Sequence, residues 1–217
     1  MGLLDLLVKL SGRYEVHGAK GEYVYTPEML CERVMRDAKE SNHNWVASAP
    51  ELWRVCNEEG FPEKYAWEIK KCILNCFSNL ESTKGFFYNS QEESQAVRDI
   101  YNSMIESKDE EAALIRKRYF TGVLNGIIKN DCDSLGYPKY CGETYRQKCD
   151  EWKKQMLKKY FTDKPVEDWD KVKQILNKEF EKDIITAEKQ GEFEGEKLFK
   201  IVNRGEVSPQ LIEDITK

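Results

Sequence analysis

Histidine is nearly absent from this sequence, and the motifs on which most enzyme classes depend are missing as well. There are two histidines, His17 and His43. His43 forms with Glu40 a single Glu-x-x-His motif, whereas a di-iron site in a helical bundle needs two such motifs and further carboxylates. There is no nucleophile elbow, no phosphate-binding loop and no dinucleotide-binding fingerprint. We therefore predict no catalytic residue and no cofactor; enzyme activity is unsupported but is not excluded.

Glycine and proline are also scarce, with 13 and 6 residues in a chain of 217. This scarcity favours long regular elements over the many turns of an all-β domain. Long apolar runs are missing too, because Asp5 and Lys9 interrupt the leucine-rich N-terminal segment. That segment is too short for a signal core or a membrane span. We predict a soluble, cytoplasmic protein with no membrane span.

A large basic excess is absent, since the formal net charge is −5. Proteins that bind phosphate backbones usually carry a basic excess, so the charge argues against nucleic acid as the principal partner without excluding a local basic patch. Hydrophobic residues make up 40% and aromatic residues 12% of the chain. A disordered chain is less apolar than this, so we expect a packed core.

The chain nevertheless carries clear secondary-structure signals. Residues 14–25 alternate apolar and polar side chains around a glycine-containing centre, which predicts a β-hairpin. Proline-led starts at Pro27, Pro50 and Pro62 predict helices. Further helices are predicted at 90–106, 109–130, 143–161 and 166–189, with weaker ones after residue 191 and from Ser208. The predicted fold class is an all-α multi-helix bundle with one small N-terminal β-hairpin.

The loop at residues 131–142 contains two glycines and a proline and is the best candidate boundary. We predict an N-terminal helical bundle over residues 1–131, which includes the hairpin. Residues 132–217 are predicted to form a C-terminal helical region. An extended helical hairpin docked on the bundle is one form that this region could take.

Seven cysteines raise the question of a metal site. Cys72 and Cys76 are four residues apart and share one helix face, but their neighbours on that face are apolar, so we interpret them as core residues. The odd number of cysteines predicts free thiols in a reducing compartment. Cys132, Cys141 and Cys149 are the runner-up metal ligands, although they lack the paired spacing of zinc sites.

Aromatic residues are concentrated in the N-terminal part of the chain. Phe86, Phe87 and Tyr88 follow Gly85 in a predicted connection, and Trp45 lies in another polar stretch. Aromatic side chains are enriched at binding hot spots, so we predict these four residues as a partner-binding surface. Packing in the core is the competing interpretation.

Two segments resemble each other, residues 109–121 (DEEAALIRKRYFT) and residues 150–162 (DEWKKQMLKKYFT). Each places basic residues beside a Tyr-Phe pair, and a basic and aromatic surface can hold single-stranded nucleic acid. The basic residues concerned are Arg116, Lys117, Arg118, Lys153, Lys154, Lys158 and Lys159.

Taken together, these features predict a cytosolic, non-enzymatic interaction or regulatory protein: an accessory subunit, an adaptor or an inhibitor of a larger assembly. Its partner is predicted to be another protein, and the sequence does not predict an oligomeric state. One alternative is a nucleic-acid-associated helical protein that uses the basic helices around residues 116–118 and 153–159. The other alternative is a metal-binding protein or an enzyme of an unfamiliar type.

Overall fold

The computed structural model describes residues 12–18, 20–40, 47–84, 90–107, 109–134 and 142–189. Within these ranges the helices are joined by short connections, and the strands belong to one two-stranded antiparallel hairpin near the N-terminus. The predicted fold class is therefore confirmed. None of the helices in these ranges is long and apolar enough to cross a membrane.

The elements follow one another with short connections. The strands are β1 (Tyr14–Gly18) and β2 (Gly21–Tyr25). The helices are α1 (Pro27–Lys39), α2 (Ala49–Cys56), α3 (Glu63–Lys84), α4 (Gln91–Glu106), α5 (Glu110–Ser134), α6 (Glu143–Tyr160), α7 (Trp169–Phe180) and α8 (Thr186–Lys189). A π-helical turn, Glu181–Ile185, joins α7 to α8, so that the helical chain runs without interruption from Trp169 to Lys189.

Polar side chains fix where several helices begin. The Thr26 hydroxyl accepts a hydrogen bond from the Met29 amide at 3.3 Å, and Pro27 is the first helical residue. The Asp168 carboxylate likewise accepts from the Lys171 amide at 2.9 Å. These bonds satisfy amide groups that have no partner inside the helix, so each helix start is specified locally.

Helices α3 and α5 form the centre of the bundle and pack along much of their length. The two helices approach closely at Gly122, where a Cβ atom added to the glycine would lie 2.4 Å from the backbone oxygen of Ser78. Glycine is required here because the α3 backbone occupies the space that any side chain would need. The glycine thereby sets the distance between the two central helices.

The C-terminal helices close the bundle through an aromatic cluster. The Trp169 ring makes edge contacts with Tyr101 and Tyr119, with centroids 4.9 Å and 5.5 Å apart. The Asn102 side chain donates to the Val166 carbonyl at 3.1 Å and accepts from the Val166 amide at 2.9 Å, which holds the chain that leads into α7.

One apolar cluster extends from Tyr14 to Ala187 and so contains side chains from both sides of residue 132. The division of the chain at that residue stays a prediction.

The hairpin packs on the N-terminal helices through one of its faces. Tyr14 and Val16 are buried, and the Tyr14 ring meets Phe61 edge-on with centroids 4.9 Å apart. The opposite face, which carries Glu15 and His17, is exposed or partly exposed. This alternation is the one expected of a strand with one solvated face.

A carboxylate on α2 connects the hairpin to the bundle and predicts a pH effect. Glu51 accepts hydrogen bonds from the Arg54 guanidinium at 2.7 Å and from the His17 backbone amide at 3.1 Å. The bond from Arg54 lowers the pKa of Glu51 below the ordinary value of 4.5. As the pH falls, Glu51 takes up a proton in the unfolded chain before it does so in the folded chain. The stabilisation that the ionised Glu51 provides is therefore fully present above pH 4.5 and is lost as the pH falls through the folded pKa.

We expect Glu51→Gln to lower the midpoint of urea unfolding at pH 7 and to have progressively less effect as the pH is lowered below about 4. The comparison is made against the wild-type chain in the same buffers. Because Arg54 is 46% exposed, solvent screening keeps the effect modest. A difference between the two proteins that stays constant from pH 7 to acid would contradict this role of the Glu51 charge.

Candidate protein-interaction surface

The four aromatic residues predicted to bind a partner lie outside the described residues. Trp45 falls in the gap at 41–46, and Phe86, Phe87 and Tyr88 fall in the gap at 85–89. Their role as a partner-binding surface stays a prediction.

The structure places Arg116 in the interior, which corrects its assignment to an exposed basic surface. Its side chain is only 3% exposed. The guanidinium donates to the Thr162 carbonyl at 3.2 Å and to Asp163 at 2.6 Å, and it lies over the Tyr101 and Phe161 rings. Arg116 therefore holds the connection that follows α6 against α5.

Two of the predicted lysines have intramolecular partners. Lys153 lies 2.8 Å from Asp150, and Lys159 lies 2.8 Å from Glu179. The hydrogen bond from Lys159 lowers the pKa of Glu179 and raises that of Lys159. Such exposed pairs contribute little stability. They nevertheless place a carboxylate beside each of the two lysine ammonium groups, which makes these lysines less available to a phosphate.

The other four predicted cations are exposed and make no ion pair within the described ranges; they are Lys117, Arg118, Lys154 and Lys158. The two similar segments meet where Phe120 packs against Phe161, with ring centroids 6.0 Å apart. The structure thus brings the ends of the two segments together through the contact of these rings. Of the seven cations predicted to bind nucleic acid, only these four are exposed without an ion pair in the described ranges.

The cysteines divide into free thiols and one disulfide. Cys31, Cys56 and Cys149 are free and buried, and Cys72 and Cys76 are free and half-buried. Burial raises the pKa of Cys56 to about 12 and that of Cys72 to about 11. A thiol with a raised pKa is a poor nucleophile and a poor metal ligand at neutral pH, in agreement with packing roles.

Cys132 is the exception, because it is disulfide-bonded. The prediction of free thiols is thus confirmed for five cysteines and is wrong for Cys132. The sulfur of Cys132 is not available as a thiolate ligand in this form. In the part of the chain that the structure describes, no three histidine, cysteine or acidic side chains are arranged to hold a metal ion.

The buried carboxylate of Glu81 is part of an internal polar network. It accepts a hydrogen bond from the Tyr119 hydroxyl at 3.3 Å and from the Lys173 ammonium at 3.1 Å. These contacts join α3, α5 and α7 across the bundle. Because a buried charge is costly without such partners, we interpret the network as structural.

The two outer edges of the hairpin differ from each other. On β1, the backbone amide of His17 donates to Glu51 at 3.1 Å, and the carbonyl of Glu15 accepts from Arg54 at 3.1 Å. Side chains of α2 thus bond to two of the outward-pointing backbone groups of β1, one donor and one acceptor. This edge of the sheet is partly covered by α2.

On the outer edge of β2, no described residue pairs with the strand. Glu22 and Val24 lie opposite His17 and Glu15 in the ladder. In an antiparallel pair, residues alternate between those that bond to the partner strand and those that point away, so the backbones of Glu22 and Val24 point away from β1. Both residues are exposed, and neither backbone has a hydrogen-bond partner among the residues that the structure describes.

Exposed apolar side chains occur on β2 and shortly after it in the chain. Of the large apolar side chains that are exposed in the described ranges, Val24 (47%) and Met29 (54%) flank the junction of β2 and α1, and Leu114 (49%) lies apart on α5. Tyr23 and Tyr25 are half-buried on the inward face of β2, with ring centroids 6.2 Å apart. We call the exposed backbone of Glu22 and Val24, with the Met29 side chain, the β2 edge surface.

Exposed acidic residues lie on β2 and on the helix that follows it. They are Glu22 on β2 and Glu28 and Glu32 on α1. The His17 ring nitrogen Nδ1 lies 3.4 Å from the exposed Glu22 carboxylate. Lys20 is exposed in the turn, and Arg33 is paired with Asp37 at 2.9 Å. This arrangement favours a partner that carries positive charge.

The hairpin was predicted from the sequence, whereas its open edge was not. The signal for an exposed edge was the combination of a short strand, Glu22 and an outward Val24, but whether an edge is covered depends on distant residues such as Glu51 and Arg54. Comparison with known protein families, with curated proteins and with solved structures finds no match to this chain. The geometry of the chain itself therefore carries the functional argument.

Proposed function

We propose that this chain is a non-enzymatic protein-interaction component that binds another protein through the β2 edge surface. An accessory subunit, an adaptor or an inhibitor of a larger assembly would fit this description. The observation that carries the proposal is a strand edge with no partner among the described residues, together with the exposed apolar side chains of Val24 on that strand and Met29 in the helix that follows it. Unpaired edges are normally covered or blunted unless another chain pairs with them.

We place the protein in the cytoplasm as part of the same proposal. Five free thiols support a reducing compartment. The disulfide at Cys132 is the feature that opposes this location, because reducing compartments keep most thiols unpaired.

A capture experiment with matched variants tests the proposed function. The tagged full chain is incubated with lysate of its own cells, with and without nuclease, beside a Val24→Asp/Met29→Asp double variant and a Leu114→Asp control. Leu114 is a suitable control because it is as exposed as Val24 but lies on α5. We expect the wild type and the control to retain a stoichiometric protein after nuclease treatment, and the double variant to lose it.

Two outcomes would overturn the proposal. Retention of the same protein by the double variant would move the interface away from the β2 edge surface. Loss of all captured material on nuclease treatment would instead favour nucleic-acid association through Lys117, Arg118, Lys154 and Lys158.

A further inference from the structure

The two edges of the hairpin suggest how a partner would bind, and this inference rests on the proposed function. We infer that β2 accepts an extended segment of the partner protein as a third strand, and that this segment alternates basic and apolar residues. At the β1 edge, the side chains of Glu51 and Arg54 already bond to outward-pointing backbone groups that an added strand would otherwise use. The β2 edge is the position at which the sheet can grow.

The backbone of β2 offers a defined set of hydrogen bonds. Glu22 and Val24 each present one outward amide donor and one outward carbonyl acceptor. These two residues are two positions apart, which corresponds to roughly 6.8 Å along an antiparallel strand. An added strand would therefore gain up to four backbone hydrogen bonds without any change in the β1–β2 ladder.

The two faces of the hairpin set the side-chain pattern of the added strand. Its outward residues would lie beside Glu22 and Val24, where a basic side chain would be paired with the Glu22 carboxylate and would cover Val24 with its aliphatic part. Its inward residues would lie beside the half-buried rings of Tyr23 and Tyr25, where apolar side chains fit. Because successive side chains of a β-strand point to opposite faces, the added strand would alternate basic and apolar residues.

A second copy of the same chain fits this edge less well. In twofold antiparallel pairing about Tyr23, Glu22 would lie opposite Val24 of the other copy but diagonal to the other Glu22. The chain also has a net charge of −5, so two copies repel each other overall. Both effects disfavour self-pairing.

The test uses three labelled heptapeptides with the full-length protein: alternating Lys and Val, alternating Glu and Val, and a block peptide with the composition of the first. Binding is measured by fluorescence anisotropy up to about 1 mM peptide. We expect the alternating Lys-Val peptide to bind several-fold more tightly than either of the others. Amide hydrogen exchange should show new protection at Glu22 and Val24, whereas Tyr23 provides the internal control because its amide faces β1.

A pair of variants at Val24 separates backbone pairing from side-chain contact. Val24→Pro removes the outward amide and leaves the β1–β2 ladder bonds in place, while Val24→Ala removes the side chain and keeps the amide. We expect Val24→Pro to weaken binding of the Lys-Val peptide about tenfold and Val24→Ala to weaken it less. Circular dichroism and the unfolding midpoint check that both variants are folded.

Several results would overturn strand addition. They are no binding of the alternating Lys-Val peptide, binding without protection of Glu22 and Val24 in the wild-type protein, or equal losses in two folded Val24 variants. Protection that grows with protein concentration in the absence of peptide would assign the edge to a second copy. The capture experiment is independent of these results, so a partner that is lost from the Val24→Asp/Met29→Asp variant would keep the proposed function while strand addition fails.

Discussion

Replacement of Trp169 by alanine is expected to lower the free energy of unfolding by about 3–5 kcal/mol. The indole is 1% exposed and contacts the rings of Tyr101, Tyr119 and Phe120, which belong to two different helices. Removing it opens a cavity at the point where α7 meets α4 and α5. For a chain of this size the thermal midpoint should fall by roughly 6–20 °C, as measured by circular dichroism.

Trp169→Phe is the matched control for this prediction. The indole nitrogen of Trp169 is buried and has no hydrogen-bond partner among the described residues, so phenylalanine removes none of the described hydrogen bonds and keeps most of the apolar contact. We expect a much smaller loss than for alanine. A similar loss in the two variants, or a loss below about 1 kcal/mol in Trp169→Ala, would show that the cluster does not depend on the volume of this ring.

Local signals in the sequence were sufficient to predict most helix starts. Thr26 before Pro27 and Ser90 before an acidic turn specify their helices through short-range hydrogen bonds, and both helices begin where predicted. The capping bond joins residues three positions apart, so the information lies within one helical turn. The π-helical turn at Glu181–Ile185 was not predicted, because no local motif distinguishes it from a regular helix.

The burial of Arg116 could not be predicted from the residues around it in the sequence. Arg116 lies on the helix face of Ala112, Tyr119 and Phe120, all of which are buried, so the helical period did place it toward the core. Its charge favoured the opposite interpretation, since an unpaired charge is rarely buried. The partners that make burial tolerable, Thr162 and Asp163, are more than forty residues away and could not be deduced from the pattern.

The β2 edge surface likewise depends on residues that are distant in the sequence. Alternation over residues 14–25 predicted a β-hairpin, and the antiparallel pairing of β1 with β2 confirms it. Which edge of the hairpin stays open depends on the position of α2, from which Glu51 and Arg54 reach β1. Tertiary packing therefore decides the feature on which the proposed function depends, and the strand pattern alone does not contain it.

Gly122→Ala is the second substitution for which a large loss is expected. The added methyl group would lie 2.4 Å from the Ser78 backbone oxygen and 3.1 Å from its carbonyl carbon, so α3 and α5 must separate. Alanine gains up to about 1 kcal/mol in helix propensity over glycine. Overpacking against a backbone costs about 1–3 kcal/mol and occasionally more, so we expect a net loss of about 2 kcal/mol in urea unfolding.

Two further variants show whether the loss comes from the backbone contact. Asn130→Ala adds a strong helix former at an exposed position of α5 and should change stability by no more than about 0.5 kcal/mol. Ser78→Gly combined with Gly122→Ala should not restore stability, because the obstructing atoms belong to the main chain of Ser78. Restoration by Ser78→Gly would instead mean that the serine side chain limits the approach of the helices. A Gly122→Ala protein as stable as the wild type would mean that α3 can move away from α5 at little cost, and then the close approach at Ser78 would not be what fixes the centre of the bundle.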